Sequence, residues 1–201
     1  MKKWLSIGLL ALGLSLFGHG VYMQAKAWLA QVLIEQAWQT TLKSPNKKIK
    51  PWFYADSYPV AQIIWPKHNK RLTVLDGASG RNLAFAPSHF LPAGELGGAD
   101  FGNSQGALIA GHNDTHFAFL KNAKVGEQFS LQLKNGQIQH YSVTHVEVIH
   151  QHNTDFLQQS GLYLLTCYPF DSLASGTDLR WLVSAEISSP EVELGISTTS
   201  S

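Results

Sequence analysis

The longest apolar stretch of the chain lies at its N-terminus. Lys2 and Lys3 precede residues 4–25, which carry no charged side chain. The hydrocarbon core of a bilayer takes about 20 such residues, and flanking lysines favour the cytoplasmic side. We therefore expect a single-pass anchor in the cytoplasmic (inner) membrane, with the rest of the chain on the periplasmic, extracytoplasmic side.

A cleaved signal peptide is the alternative interpretation of this segment. Ala25-Lys26-Ala27 has the small-x-small form of a cleavage site. The uncharged run is longer than the apolar core of a signal peptide, about 7–15 residues, which favours the anchor. Residues 27–42 continue with apolar positions near helical spacing, so they predict an amphipathic helix that extends from the membrane.

After a basic linker, the pattern changes to short apolar and alternating segments that are typical of β-strands. The predicted strands cover residues 60–65, 71–75, 83–86, 107–110, 128–134, 137–150, 161–167 and 179–187. Many short strands favour a barrel or a sandwich. The predicted organisation is an anchor at 1–25, a juxtamembrane helix and linker at 26–50, a β domain at 51–187 and a flexible tail at 188–201.

Two features of the predicted strands are specific. Asn135-Gly136 separates two alternating segments, and both residue types tolerate the positive φ of a tight β-hairpin. In the return strand, the apolar positions shift by one between Val143 and Val146. This shift predicts a β-bulge.

Composition excludes several classes of function. The 201 residues carry a net charge of only +1, which gives no basic field for nucleic acid. The single cysteine, Cys167, excludes an intramolecular disulfide and a cysteine-rich zinc site. His112 and His116 are four residues apart, a spacing that aligns ligands only on a helix, and their segment has the pattern of a turn. We therefore expect no metal and no cofactor.

Three residues are candidates for catalysis, although each has an ordinary structural alternative. Cys167 ends an apolar strand that Pro169 terminates, but it could be a buried core cysteine. His112 follows Gly111 at the exit of a strand, but it could be a turn histidine. Arg180 stands near the start of the last strand, but it could pair with an aspartate.

Taken together, these three side chains suit nucleophilic catalysis. Thiols are mostly protonated near neutral pH, so a catalytic cysteine needs a partner that moves protons, and histidine can do so. The tetrahedral intermediate needs donors at its oxyanion, which the arginine fork supplies.

The motifs around these residues resemble those of sortases. Gly111-His112-Asn113-Asp114-Thr115-His116-Phe117 is similar to the sortase histidine motif, and Leu164-Leu165-Thr166-Cys167 is similar to the cysteine motif. Arg180 stands where sortases place their arginine. Thr166-Cys167-Tyr168-Pro169-Phe170-Asp171 resembles the Gram-negative class in particular. In that class, Arg is common at the position of Asn113, and many sortases have Thr at the position of Tyr163.

The resemblance implies a mainly β fold, a closed eight-stranded sortase-like barrel with short helices after the transmembrane helix. It implies that Cys167 cleaves an LPxTG-like motif between Thr and Gly, with His112 as proton partner and Arg180 as stabiliser. An amine then accepts the thioacyl group, and the partner is a secreted protein with a C-terminal sorting signal. We expect the substrate to contact Ala110, Leu165, Thr166 and Trp181.

Two other functions stay open at this point. An L,D-transpeptidase also places histidine before cysteine, but its cysteine motif has Ser-x-Gly before the cysteine, where this chain has Leu165-Thr166. A membrane-tethered β domain that only binds a partner needs no reactive thiol. Substitution of Cys167 separates the enzyme from the binding domain.

Overall fold

The computed structural model describes residues 2–91, 93, 96, 106–171 and 176–188. The chain begins with one long helix, α1 (Lys2–Lys43), which joins the predicted anchor and the predicted amphipathic helix without a break. Within the described part of the chain, α1 is the one helix whose length and composition would allow it to cross a membrane, a property that anchors and signal sequences share. The predicted tail lies outside the described residues from position 189 onward.

The eight strands form a closed barrel in the order β1-β2-β3-β4-β7-β8-β6-β5, which confirms the predicted fold class. The strands are β1 (Pro59–Trp65), β2 (Lys70–Asp76), β3 (Ser88–His89), β4 (Ala107–Ala110), β5 (Gln128–Leu133), β6 (Ile138–His150), β7 (Leu162–Tyr168) and β8 (Leu179–Ile187). A short helix, α2 (Gly80–Leu83), and three 3₁₀ turns, Pro66–His68, Ala118–Asn122 and Asp155–Gln158, connect them.

The interior of the barrel is the main hydrophobic core. Strand β5 shows why: its apolar residues Phe129, Leu131 and Leu133 occupy alternate positions, and all three are buried. The rings of Trp65 and Tyr141 lie on either side of the Phe129 ring and stack against it, with centroids 4.5 and 5.5 Å away.

The hairpin and the bulge that the sequence predicts are both present. The Leu133 amide donates to the Gln137 carbonyl at 2.8 Å, and Gly136 has a φ of 84°. The register of β6 against β8 shifts between Val143 and His145, where the apolar parity changes.

The predicted strand at 83–86 is wrong, because α2 and a turn occupy this segment. The Ser79 hydroxyl accepts a hydrogen bond from the Asn82 amide at 3.3 Å, which caps the first turn of α2. The Asn82 side chain also donates to the carbonyls of Asp76 and Gly77. Strand β3 follows instead at Ser88–His89 and has only two residues.

The second half of α1 packs against the outer face of β1 and β2. The Glu35 carboxylate accepts hydrogen bonds from Gln62 of β1 and Thr73 of β2, both at 3.1 Å. Beside it, Ile34 and Trp38 are fully buried. Polar and apolar contacts therefore join the helix and the barrel into one packed unit.

Candidate active site

Strand register brings Cys167, His112 and Arg180 to one place. Cys167 of β7 pairs directly with Arg180 of β8. On its other side, β7 runs parallel to β4 with Ala110 opposite Leu165, an offset of 55 residues. The Gly111 amide donates to the Leu165 carbonyl at 3.1 Å and extends this pairing. Since His112 precedes Cys167 by the same offset, it leaves β4 at the level of Cys167.

The thiol lies on the outer face of the barrel. Side chains of a strand alternate between faces, and Leu164 belongs to the interior core, whereas Leu165 packs with a second cluster outside. Cys167 shares the outer face with Leu165, and it is a free cysteine of intermediate exposure. A reactant can therefore approach the sulfur from outside the barrel.

The loop 111–117 holds His112 through close packing around its first residue. A Cβ atom on Gly111 would lie 2.7 Å from the Phe117 ring, so only glycine allows this approach. Phe117 is fully buried, and its amide donates to the His112 carbonyl at 2.9 Å. The backbone of His112 is thus held from both ends of the loop, while its side chain is exposed.

Two hydrogen bonds tie this loop to the segment that contains Cys167. The buried Thr166 hydroxyl donates to the Gly111 carbonyl at 2.7 Å. The Asn113 amide group donates to the Pro169 carbonyl at 3.1 Å. One bond lies on each side of His112 in sequence, so the two segments keep a defined separation.

The Arg180 guanidinium is held by hydrogen bonds on one edge. Its Nη1 donates to the carbonyls of Thr177 and Leu179, and its Nη2 donates to Gln151 Oε1 at 2.8 Å. Gln151 is itself held, because its Nε2 donates to the Asp178 carboxylate at 2.7 Å. Of the five N–H groups of arginine, those on Nε and one on Nη2 keep no partner among the described residues.

A second histidine borders the site. Burial and the neighbouring His112 lower the pKa of the His116 imidazole below its ordinary 6.5, although Asp114 partly opposes this. The nearby backbone of Phe85 also partly opposes this lowering of the pKa. His116 is therefore neutral at neutral pH and adds no charge beside His112.

The structure separates the four residues that we expected to contact substrate. Ala110 and Leu165 are partly exposed on the outer face beside Cys167. Thr166 is only 3% exposed and bonded to Gly111, and Trp181 packs against the interior core, with its Nε1 donating to the Leu120 carbonyl. Thr166 and Trp181 thus support the site from the inner face, and their placement does not favour a substrate contact.

The sequence alone does not predict Gln151 as a partner of Arg180. Gln151 follows β6, and it reaches Arg180 only because β6 pairs with β8 so that Ile149 lies opposite Arg180. No spacing motif in the sequence predicts this contact.

Within the described part of the chain, no group of three or more His, Cys, Asp or Glu side chains could hold a metal ion.

The chain forms a closed β-barrel with Cys167 and Arg180 on paired strands and His112 in the loop that follows β4. The sequence at residues 63–188 matches the family model described as "Sortase domain", and since this is more than half of the chain, the chain belongs to the sortase family. Members of this family are cysteine transpeptidases. Among curated proteins, none matches the sequence.

Solved sortase structures share the fold. Sortase A of Corynebacterium diphtheriae is similar with a TM-score of 0.58 and 18% identity, over 82% of this chain and 86% of that one. Sortase C-1 of Streptococcus pneumoniae has a TM-score of 0.58 and 25% identity, over 65% and 67%. Sortase A of Listeria monocytogenes has a TM-score of 0.55 and 19% identity, over 65% and 88%.

Proposed function

We propose that this chain is a membrane-anchored sortase of the Gram-negative type, which cleaves an LPxTG-like motif between Thr and Gly and transfers the product to an amine. The observation that carries the proposal is the register that aligns His112, Cys167 and Arg180. The Tyr168-Pro169-Phe170 segment after the cysteine resembles the motif of the Gram-negative class, and this resemblance supports that part of the proposal.

In the first step, the Cys167 thiol gives its proton to His112, and Cys167 Sγ attacks the carbonyl carbon of the Thr residue. A carbon–sulfur bond forms, and the electron pair of the carbonyl moves to its oxygen. When the tetrahedral intermediate collapses, the carbon–nitrogen bond to Gly breaks and the leaving amine takes a proton from His112. The products are a thioacyl enzyme and a free fragment whose N-terminal residue is Gly.

Arg180 stabilises the oxyanion of that intermediate. Its Nη1 edge is occupied by Thr177 and Leu179, which leaves the Nε edge to face the reacting carbonyl. Because Gln151 and the two carbonyls hold the guanidinium in advance, little reorganisation is needed when charge develops.

The second step reverses the proton transfer. An incoming amine attacks the thioester carbonyl, His112 takes its proton, and the Cys167 thiolate leaves and is reprotonated. The acceptor amine thus releases the acyl group from the enzyme, and it attacks from the place that the leaving amine occupied.

The outer face beside Cys167 supplies the apolar part of the substrate site. Leu165 and Ala110 are partly exposed there, and Leu108 and Leu182 belong to the cluster beneath them. We assign the Leu-Pro portion of the motif to this surface. Thr166 and Trp181 act from the inner face as positioning residues.

The direct test is to trap the acyl enzyme. The full chain in detergent is incubated with an LPxTG peptide, and the intact protein is measured by mass spectrometry. We expect an adduct with the mass of the fragment up to Thr on Cys167, and its loss on addition of an amine. The Cys167→Ala variant serves as the control and should show no adduct.

The alternatives give different results in the same assay. An adduct with a peptidoglycan tetrapeptide but none with the LPxTG peptide would indicate an L,D-transpeptidase. Peptide binding that survives Cys167→Ala, with no adduct on the unmodified chain, would indicate a binding domain and overturn the proposal.

A further inference from the structure

A group of aromatic and apolar side chains is exposed where α1 meets the segment before β1. Phe53 is 91% exposed, Trp28 68%, Tyr54 67% and Leu29 49%. The rings of Phe53 and Tyr54 contact each other edge to face, with centroids 4.8 Å apart. We call these four residues the aromatic face. Leu29 and Tyr54 line the same cavity, and Trp28 precedes Leu29 in α1, so exposed apolar groups of the two segments meet here. Such groups mark an interaction surface.

The depth of α1 in a membrane places this face at the headgroup layer. Residues 4–25 carry no charge, and 22 helical residues span about 33 Å, close to the about 30 Å hydrocarbon core. The headgroup layer adds about 5–8 Å on each side, which corresponds to about four or five helical residues. Lys26 and the residues up to Ala30 therefore lie in that layer.

A cavity of about 350 Å³ connects this part of α1 with the segment 51–57. Lys26, Leu29 and Leu33 of α1 line it together with Trp52 and Tyr54. The segment 51–57 therefore lies beside the stretch of α1 that begins in the headgroup layer at Lys26. Tyr and Trp side chains prefer this depth, since one end of each ring system is apolar and the other is polar.

Helix α1 cannot rotate the aromatic face away from the bilayer, because hydrogen bonds join the helix to the barrel just beyond this face. Gln31 Nε2 donates to the Phe85 carbonyl at 2.7 Å, and one turn later Glu35 accepts hydrogen bonds from β1 and β2. The same Phe85 backbone lies close enough to His116 of the loop 111–117 to act on its imidazole. The contacts thus run from the membrane end of α1 to the loop that carries His112.

We propose that the aromatic face docks on the lipid bilayer surface, with Phe53, Tyr54, Trp28 and Leu29 in the headgroup layer. This inference rests on the retained anchor of the proposed function. Docking of the aromatic face places the loop 111–117 close to the membrane. A sorting signal that is followed by an apolar span would present its cleavage site at that level.

Spin labelling tests the docking directly. The full chain carrying Cys167→Ala and Phe53→Cys is labelled with a nitroxide and reconstituted into phosphatidylcholine nanodiscs. Electron paramagnetic resonance then compares collisions with oxygen, which concentrates in lipid, and with a water-soluble nickel complex. Phe53 is so exposed that the label itself should not disturb the fold.

Two matched positions calibrate the measurement. Leu16→Cys, 66% exposed in the apolar span, reports lipid. Val125→Cys, 64% exposed, reports water. Glu127, two residues further on, pairs with Lys67, and Lys67 follows the end of β1 that lies away from the segment 51–57. We expect nickel collisions at position 53 to be several-fold lower than at 125 and oxygen collisions to be higher.

Each other outcome contradicts the proposal in a distinct way. Equal nickel collisions at 53 and 125 would show that the face stays in water. Broadening between two labels at 53 would show that a second copy of the chain covers it. Exposure of the label at 16 to nickel would show that α1 is not an anchor. Acyl trapping on the unmodified chain is independent of all three, so the proposed reaction can succeed or fail separately.

Discussion

At the scale of single residues, the shape of the Arg180 side chain matters as much as its charge. Its Nη1 and Nη2 groups bond Thr177, Leu179 and Gln151, and we propose that the substrate carbonyl binds at the remaining Nε edge. A lysine keeps the charge but has no fork and cannot make both sets of contacts. We expect Arg180→Lys to lower kcat for LPxTG peptide cleavage by on the order of 10²–10³ with a smaller change in KM.

The kinetic comparison needs a control with the same chemical change. Arg81→Lys provides it, since Arg81 is an exposed arginine whose ion pair with Asp56 lies on the surface. Cleavage by this variant should equal that of the unmodified chain. If Arg180→Lys were also as active as the unmodified chain, the role of the arginine fork would be refuted.

A second prediction at this scale concerns Glu127. Burial alone raises the pKa of its carboxyl, but the ion pair with Lys67 and the hydrogen bond with His68 outweigh this and lower the pKa below the ordinary 4.5. The side chain is only 3% exposed, with Lys67 Nζ at 2.9 Å and His68 Nε2 at 2.7 Å. The ionised form is therefore the one that the fold stabilises.

The lowered pKa fixes the sign of the pH dependence. The stabilisation is complete above pH 4.5 and is lost as the pH falls through the lower folded-state pKa. Near neutral pH, Glu127→Gln should reduce the free energy of unfolding by about 1–3 kcal/mol, and this difference should shrink in acid. Urea unfolding at several pH values, followed by tryptophan fluorescence, measures both quantities. A difference that stays constant down to pH 3 would contradict this assignment.

At the scale of elements, the loop 111–117 depends on the contact between Gly111 and Phe117. An alanine Cβ would lie 2.7 Å from the ring of the fully buried Phe117, so the ring or the backbone must shift to admit it. We expect Gly111→Ala to cost about 1–3 kcal/mol of stability and to displace His112, so acyl trapping should slow more than the stability loss explains. Gly80→Ala is the control, since nothing lies within 4 Å of its added Cβ. Equal trapping rates for the two variants would contradict the role of this contact.

Most strands could be predicted, because a strand that buries one face has apolar residues at alternate positions. The bounds of β4 and β8 agree with prediction, and the parity shift after Val143 correctly located the bulge. The segment 83–86 failed because a short apolar run has no period that separates a strand from a turn. Its conformation depends on the Ser79 cap and on bonds from Asn82, and β3 is too short to leave any pattern.

The candidate site was predictable only in part, for a related reason. Cys167, His112 and Arg180 stand in recognisable local motifs, so the sequence alone nominates them. Gln151 carries no motif, and its contact with Arg180 requires the register of β6 against β8. The inward orientation of Thr166 likewise follows from the barrel's closure, which decides which face of β7 is buried.

At the scale of the whole molecule, α1 does more than precede the barrel. The Gln62 side chain is 1% exposed and lies between Glu35 of α1, Thr73 of β2 and Arg71. A buried donor that loses its acceptor retains its full desolvation cost. This network therefore makes the position of the helix on the barrel specific as well as stable.

Removal of the Glu35 carboxylate should release the helix from the barrel. Glu35→Ala leaves the buried Gln62 amide and Thr73 hydroxyl without their shared acceptor, which should cost about 1–3 kcal/mol. Amide hydrogen exchange of the full chain in nanodiscs should then accelerate across residues 30–43, while exchange in β7 and β8 changes little. Gln39→Ala is the matched control, because Gln39 bonds the other oxygen of Glu35 from the exposed side. Exchange that accelerates equally in both variants would show that the exposed contact matters as much as the buried one, and that the buried network does not hold α1.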